Sequence, residues 1–196
     1  MAPGYAILPL KMSYEYADGY KIRNQSAPHF LTFTIVGWID VFSRDCYRKL
    51  IIESLRFCQE NKGLKISGYV IMSNHIHVIW TTRTYALSDM VRDFKSFTSK
   101  AIISTIQSEN ESRRDWLLHL FRFHGKRNNG NKEFKVWTGD NHPEEIQTES
   151  FYRQKLDYIH LNPVRAGLIT EPEKYVYSSA QNYTGKKGLL KIDPLF

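Results

Sequence analysis

The hydrophobic and polar positions of the chain follow two different periods. Residues 28–38 (PHFLTFTIVGW), 64–72 (LKISGYVIM) and 75–82 (HIHVIWTT) are dense in β-branched and aromatic side chains, which is typical of strands. Ser73 and Asn74, two residues that favour turns, separate the second run from the third. The pattern therefore predicts one strand followed later by a hairpin of two adjacent strands.

Three other stretches repeat their apolar residues at the helical period. They are residues 43–63, residues 88–107 and a stretch that begins near Glu149. We expect Pro163 to end the third helix, because a residue that precedes proline avoids the helical conformation.

The segment between the second and third helices has a weaker pattern. Residues 108–133 are polar and charged and predict a loop, whereas FKVW at 134–137 predicts a short strand. The resulting order is strand, helix, strand, strand, helix, strand, helix. This order predicts an α+β fold, in which an antiparallel sheet has its helices packed on one face, close to the ferredoxin-like arrangement.

Composition narrows the class of protein. The 196 residues are 42% hydrophobic, which suits one globular domain, and no apolar run approaches the ~20 residues of a membrane helix. Two cysteines, Cys46 and Cys58, are too few for a disulfide framework, so we expect a reduced, cytoplasmic setting and no membrane partner. The net charge of +7 favours a polyanionic partner such as nucleic acid.

A pair of histidines, His75 and His77, lies in the third predicted strand. Alternate residues of a strand project to the same face, so the two imidazoles would point together and could bind one divalent metal. Taken alone, such a pair is more often two surface histidines without a ligand.

Tyr158 and Asn162 lie four residues apart in the third predicted helix, and so share one face of it. The amide oxygen of Asn162 suits a hard metal, and the phenol of Tyr158 could attack phosphorus. Core packing and a helix end would explain the same two residues without any chemistry.

Two segments together resemble the REP-associated tyrosine transposases, which belong to a wider group of single-strand transposases with a His-hydrophobic-His motif and one catalytic tyrosine. They are GYVIMSNHIHVIW at 68–80 and YIHLNPVRAGLI at 158–169. The resemblance covers roughly residues 28–183, so we expect an N-terminal arm (1–27), a transposase catalytic domain (28–183) and a C-terminal tail (184–196).

The resemblance implies a fold, a reaction and a site. The fold would be ferredoxin-like or RNA-recognition-like. Tyr158 would be the nucleophile that forms a 5′-phosphotyrosine, and His75, His77 and Asn162 would hold Mg²⁺ or Mn²⁺. The enzyme would nick and rejoin single-stranded DNA at hairpin-associated sites. Some members of the wider group are dimers that share their active sites, so a homodimer stays open.

The partner implied by the resemblance is single-stranded or hairpin DNA. Five basic residues are the candidates for contacts with its phosphates, which provide affinity without reading sequence: Lys95, Arg122, Lys126, Arg127 and Arg165.

Two alternative functions remain. One is a catalytically silent module that binds single-stranded nucleic acid on the same fold, which the intact set of four site residues disfavours. The other is a different tyrosine endonuclease with paired histidines, such as a replication initiator or relaxase, which the NPVRAGL sequence after the tyrosine disfavours.

Overall fold

The computed structural model describes residues 21–108, 110–127 and 133–196, so most of the predicted N-terminal arm lies outside it. The described residues form a four-stranded antiparallel sheet in the order β2-β3-β1-β4, which confirms the predicted α+β fold class. The elements in chain order are β1 (His29–Thr34), α1 (Asp45–Lys62), β2 (Leu64–Ile71), β3 (His75–Thr82), α2 (Leu87–Ser108), α3 (Arg114–Lys126), β4 (Glu144–Glu145) and α4 (Glu149–Arg165).

The predicted hairpin and the first predicted helix are both present. Ile71 of β2 pairs with Ile76 of β3, and the Met72 N–H donates to the His75 carbonyl at 2.8 Å across the turn. Gly63 ends α1 in the left-handed conformation, at φ 68°, which glycine adopts without steric cost.

The predicted loop at 108–133 is wrong in its middle, because Arg114–Lys126 form α3. Leu117, Phe121 and Gly125 recur at every fourth position and form the buried side of this helix. The flanking segments 108–113 and 127–133 contain no apolar side chain, which masks the short apolar pattern between them.

The predicted strand at 134–137 is also wrong. Trp137 makes a single bridge with Ile35, and no ladder extends from it. The fourth strand is instead β4, whose Glu144 pairs with Phe30 of β1. A strand of two glutamates has none of the β-branched or aromatic residues by which strands are recognised.

Helix α4 continues through Pro163 to Arg165, so the prediction that proline ends it is wrong. Proline lacks the N–H of one helical hydrogen bond but does not prevent the last turn from forming here. Gly167, at φ 70°, ends the helix, and the Leu168 N–H donates to the Pro163 carbonyl at 2.9 Å.

Helices cover both faces of the sheet. Helices α1 and α2 share one face, as expected, whereas α4 lies on the opposite face. The first face buries a large core that includes Phe33, Val78, Trp80, Leu55 and Phe94. The second face buries a smaller cluster formed by Phe30, Val70, Met72, Ile79, Ile146, Tyr152 and Ile159.

Gly68 of β2 lets α4 approach the sheet closely. A Cβ at this position would lie 2.9 Å from Leu156 Cδ1 and 3.4 Å from Ile159 Cδ1, too close for the first of them. The glycine therefore helps to set the distance between α4 and the strands. In the described part of the chain, no helix is long and apolar enough to cross a membrane.

Candidate active site

His75 and His77 project from β3 toward the face that α4 covers. Their ring centroids lie 4.7 Å apart at an interplanar angle of 68°. Ile76, between them, belongs to the large core on the opposite face. The alternation of the strand thus places the two imidazoles side by side.

One nitrogen of each imidazole is already engaged by a neighbouring side chain. The His75 Nδ1–H donates to Asn74 Oδ1 at 2.6 Å, and His77 Nδ1 shares a hydrogen bond of 2.9 Å with the Thr32 hydroxyl. Thr32 stands directly opposite His77 in the β1–β3 register. These bonds fix the orientation of both rings and leave each Nε2 as the nitrogen to coordinate a metal.

Both imidazoles are held in the neutral form. Burial lowers the pKa of His75, and burial together with the nearby His75 and Lys155 lowers the pKa of His77 to about 3. A neutral imidazole retains the lone pair that a metal requires, so protons compete weakly for these nitrogens near neutral pH.

The phenol of Tyr158 lies beside this pair. Its ring centroid is 5.0 Å from that of His77 and 6.0 Å from that of Phe30, with an edge-on approach to both. The guanidinium carbon of Arg165 lies 5.7 Å from the centre of the Tyr158 ring. Tyr158 is 38% exposed, so a substrate can reach it from solvent.

Tyr152, six residues earlier in α4, has a different environment. Its side chain is buried in the small cluster, and its hydroxyl shares a hydrogen bond of 2.6 Å with the Tyr183 hydroxyl. The Tyr183 hydroxyl donates in turn to the Ser67 carbonyl at 2.5 Å. Tyr152 is therefore a buried, hydrogen-bonded part of the fold. Of the two tyrosines, only Tyr158 lies beside the histidines.

The direction in which α4 runs indicates where Asn162 lies relative to the histidine pair. The Lys155 ammonium lies 4.6 Å from the ring centre of Phe30, which pairs with Ile79 on β3, whereas Tyr158 lies against His77. The helix therefore runs toward the His75 end of β3. Asn162 is one further turn along, about 6 Å beyond Tyr158 on the same face.

The side chains near the histidine pair limit which third protein ligand a metal could have here. The described residues contain no group of three His, Cys, Asp or Glu side chains placed to hold one. A metal bound by His75 and His77 would thus take its third protein ligand from another residue type. An amide oxygen on the neighbouring helix fits that requirement.

Of the five basic candidates, the structure brings only Arg165 to Tyr158. The other four lie on α2 or at the end of α3, helices that pack against the opposite core. The Lys95 ammonium donates to the Thr138 carbonyl and to Asn141 Oδ1, both at 2.7 Å. Arg122 lies 3.6 Å from Glu133, Arg127 lies over the Phe123 ring, and Lys126 is exposed.

Three contributors to the site are missed by sequence reasoning. Thr32 and Asn74 orient the histidines, and the Lys155 ammonium donates to Glu144 Oε1 at 2.6 Å, which ties α4 to β4. The position of Asn74 directly before the histidine pair is a usable signal. Thr32 and Lys155 acquire their roles through strand pairing and helix docking, which the sequence does not display.

Comparison with known proteins relates this chain to transposases. Residues 33–122 match the family model described as "Transposase IS200 like", a region that includes both histidines and ends before Tyr158. The match confirms the family resemblance. No curated protein matches the sequence at a significant level.

Two solved structures are similar to this chain. One is a REP-associated tyrosine transposase bound to a REP hairpin, with a TM-score of 0.58 and 16% identity over 92% of this chain and 93% of that chain. The similarity of the two structures confirms the fold. The other is a putative transposase from Deinococcus radiodurans R1, with a TM-score of 0.45 and 16% identity over 81% of this chain and 95% of that chain.

Proposed function

We propose that this chain, whose residues 33–122 match the IS200-like transposases, is a metal-dependent enzyme that nicks and rejoins single-stranded DNA at hairpin-associated sites. One observation carries the proposal: an accessible phenol, Tyr158, lies against His77 of a neutral, oriented histidine pair. A transposase must break a phosphodiester and keep its energy for rejoining, and a tyrosine nucleophile does both.

The residues that would hold the metal are His75 and His77, through Nε2, and Asn162, through its amide oxygen. Mg²⁺ or Mn²⁺ is implied by the family, since imidazoles alone do not select either over zinc. When bound, such a cation withdraws negative charge from a phosphodiester and orients it for attack.

The reaction we propose exchanges one phosphate ester for another. The phenolic oxygen of Tyr158 bonds to phosphorus while the bond from phosphorus to the 3′ oxygen breaks. The phenol loses its proton to solvent, and the departing 3′ oxygen gains one. The products are a 5′-phosphotyrosine and a free 3′-hydroxyl, so a 3′-hydroxyl of another strand can reverse the step without ATP.

Arg165 and Lys155 would support this step in different ways. The Arg165 guanidinium, beside the Tyr158 ring, would bind a phosphate oxygen of the DNA. Lys155 is held by Glu144 and packs over the rings of Phe30 and Phe151, so it would fix the position of α4. The two free cysteines fit a reduced, cytoplasmic location for this activity.

The direct test uses hairpin oligonucleotides with a single-stranded flank, taken from the DNA around the protein's own gene. Incubation with Mg²⁺ or Mn²⁺ should give a covalent protein–DNA adduct that survives denaturing electrophoresis and disappears with a chelator. Binding of these hairpins without an adduct under any metal would instead support the silent binding module.

We expect DNA affinity to fall steeply with salt, because a chain of net charge +7 gains much of its affinity by releasing counterions. Neutralising about five phosphates of a single strand implies a loss of roughly 100-fold between 50 and 200 mM salt. Fluorescence anisotropy with a labelled hairpin oligonucleotide measures this slope. An affinity that does not change over that range would contradict electrostatic binding.

We expect one chain to complete its own site, because His77 and Tyr158 of the same chain are in contact. A mixture of His77→Ala and Tyr158→Phe proteins should therefore form no more adduct than either variant alone. Adduct formation restored by mixing would show that a partner chain supplies the tyrosine and that the enzyme acts as a homodimer.

A further inference from the structure

We propose that Trp38 is a stacking platform for an unpaired nucleobase adjacent to the phosphodiester that Tyr158 attacks. This inference rests on the proposed function and adds a base-binding subsite to it. The subsite lies at the His75 end of the site, beyond the residues already assigned to chemistry.

The position of Trp38 first points to this role. Its side chain is 67% exposed, yet its ring centroid is only 6.2 Å from that of His75, in an edge-on arrangement. A single exposed aromatic residue is ordinary on a protein surface. An exposed indole beside the proposed metal ligand is within reach of a DNA strand bound at the site.

The backbone at Trp38 is strained and anchored by its neighbours. Trp38 has φ 56°, a left-handed conformation that is unusual for a bulky residue, and Gly37 before it has φ 64°. Val36 and Ile39 on either side are buried, and the Trp38 N–H donates to the Ile35 carbonyl at 3.1 Å. The turn is therefore anchored on both sides and holds the indole out toward solvent.

Helix α3 also supports this turn. His124 of α3 packs against Gly37, where a Cβ would lie 3.0 Å from the imidazole Nε2. A larger residue at position 37 would be strained at this φ and would press against the His124 side chain. Strain held in place by its surroundings is characteristic of functional sites, where it fixes a side chain in advance of binding.

Asn74 links this turn directly to the histidine pair. Its Nδ2 donates to the Trp38 carbonyl at 3.3 Å, and its Oδ1 accepts from His75 Nδ1 at 2.6 Å. One side chain therefore ties the backbone of Trp38 to the imidazole of His75. A base stacked on Trp38 would have its phosphate held at a fixed offset from His75.

The chemistry of an indole identifies the ligand as a nucleobase with a free face. Every base presents a π-face to an aromatic ring, so stacking tolerates any sequence. A base inside a duplex has both faces covered by its neighbours, so Trp38 favours an unpaired nucleotide over a base within a duplex. The subsite thus gives a physical reason for the enzyme to act on single-stranded DNA beside a hairpin.

The test is a binding experiment in the Tyr158→Phe background, where no cleavage occurs. Affinities are measured for a hairpin oligonucleotide with a single-stranded flank and for a set of copies that each carry one abasic nucleotide in the flank. The protein variants are Trp38→Ala, Trp38→Phe and the control Phe57→Ala, which removes another exposed aromatic ring from α1 on the opposite face.

We expect Trp38→Ala to lose about tenfold or more in affinity for the intact oligonucleotide, and Trp38→Phe to lose much less. An abasic nucleotide at one position of the flank should weaken binding to the parent, which retains Trp38, to a similar extent. The same abasic nucleotide should not change the affinity of Trp38→Ala. Phe57→Ala should bind as the parent does. Equal sensitivity of Trp38→Ala and its parent at every abasic position would overturn the inference.

Failure of the proposed function would look different. In that case the protein with Tyr158 intact would form no adduct, whereas the coupling between Trp38 and one abasic position is a binding result that does not depend on cleavage. Loss of the coupling with adduct formation preserved would reject the subsite alone.

Discussion

Replacing Tyr158 by phenylalanine should abolish the covalent protein–DNA adduct and strand cleavage, while folding and hairpin binding persist. The substitution removes one oxygen and keeps the ring that packs against His77 and Phe30. No other group of the proposed site can form a phosphotyrosine, so the expected loss is complete rather than partial. Denaturing electrophoresis of a labelled oligonucleotide measures the adduct, and anisotropy measures binding.

Tyr152→Phe is the matched control for this experiment. It also removes one hydroxyl from α4, but that hydroxyl is bonded to Tyr183 in the buried cluster and away from the histidines. Loss of one buried hydrogen bond should cost about 1 kcal/mol of stability and leave adduct formation largely intact. An adduct that persists in Tyr158→Phe and vanishes in Tyr152→Phe would assign the nucleophile to the other tyrosine.

The second large loss of cleavage should come from substitution of either histidine of the pair. His75→Ala or His77→Ala removes one proposed metal ligand, and we expect cleavage to fall on the order of 10³-fold, because metal stabilisation of a phosphoryl group contributes several kcal/mol. Metal affinity should fall in parallel, as measured by calorimetric titration of Mn²⁺. Hairpin binding at fixed salt should change little, since neutral imidazoles contribute no charge.

Two further variants serve as comparisons for the loss expected in His75→Ala and His77→Ala. Thr32→Val removes the hydroxyl that orients His77 and should reduce metal affinity by about 10- to 100-fold, a smaller loss than removal of the ligand itself. His119→Ala removes an exposed histidine of α3 and should have no effect. Metal-dependent cleavage at the normal rate in His77→Ala would contradict the proposed ligand set.

Local periodicity explains which parts of the site could be predicted. The two-residue period of a strand fixes His75 and His77 on one face, and the sequence shows that strand through its β-branched and aromatic residues. The four-residue spacing of Tyr158 and Asn162 likewise needs only a helix. Both relations depend on residues close together in the chain.

Tertiary relations explain which parts could not be predicted. The sequence gives no sign that α4 packs on the face opposite α1 and α2, since that depends on the fit of Leu156 and Ile159 over Gly68. The pairing that places Thr32 opposite His77 joins positions 45 residues apart. Strand β4 was hidden because it consists of two glutamates, and helix α3 because it is short and lies between polar segments.

The most direct test of the proposed chemistry is the identification of the residue that carries the DNA. The wild-type protein is incubated with a hairpin oligonucleotide and Mg²⁺ or Mn²⁺, denatured and digested with protease, and the nucleotide-bearing peptide is sequenced by mass spectrometry. We expect a single modified residue, Tyr158, joined to the 5′-phosphate of the cleaved strand. Attachment at Tyr152 or any other residue, or cleavage that leaves no nucleotide on the protein, would contradict a Tyr158 nucleophile.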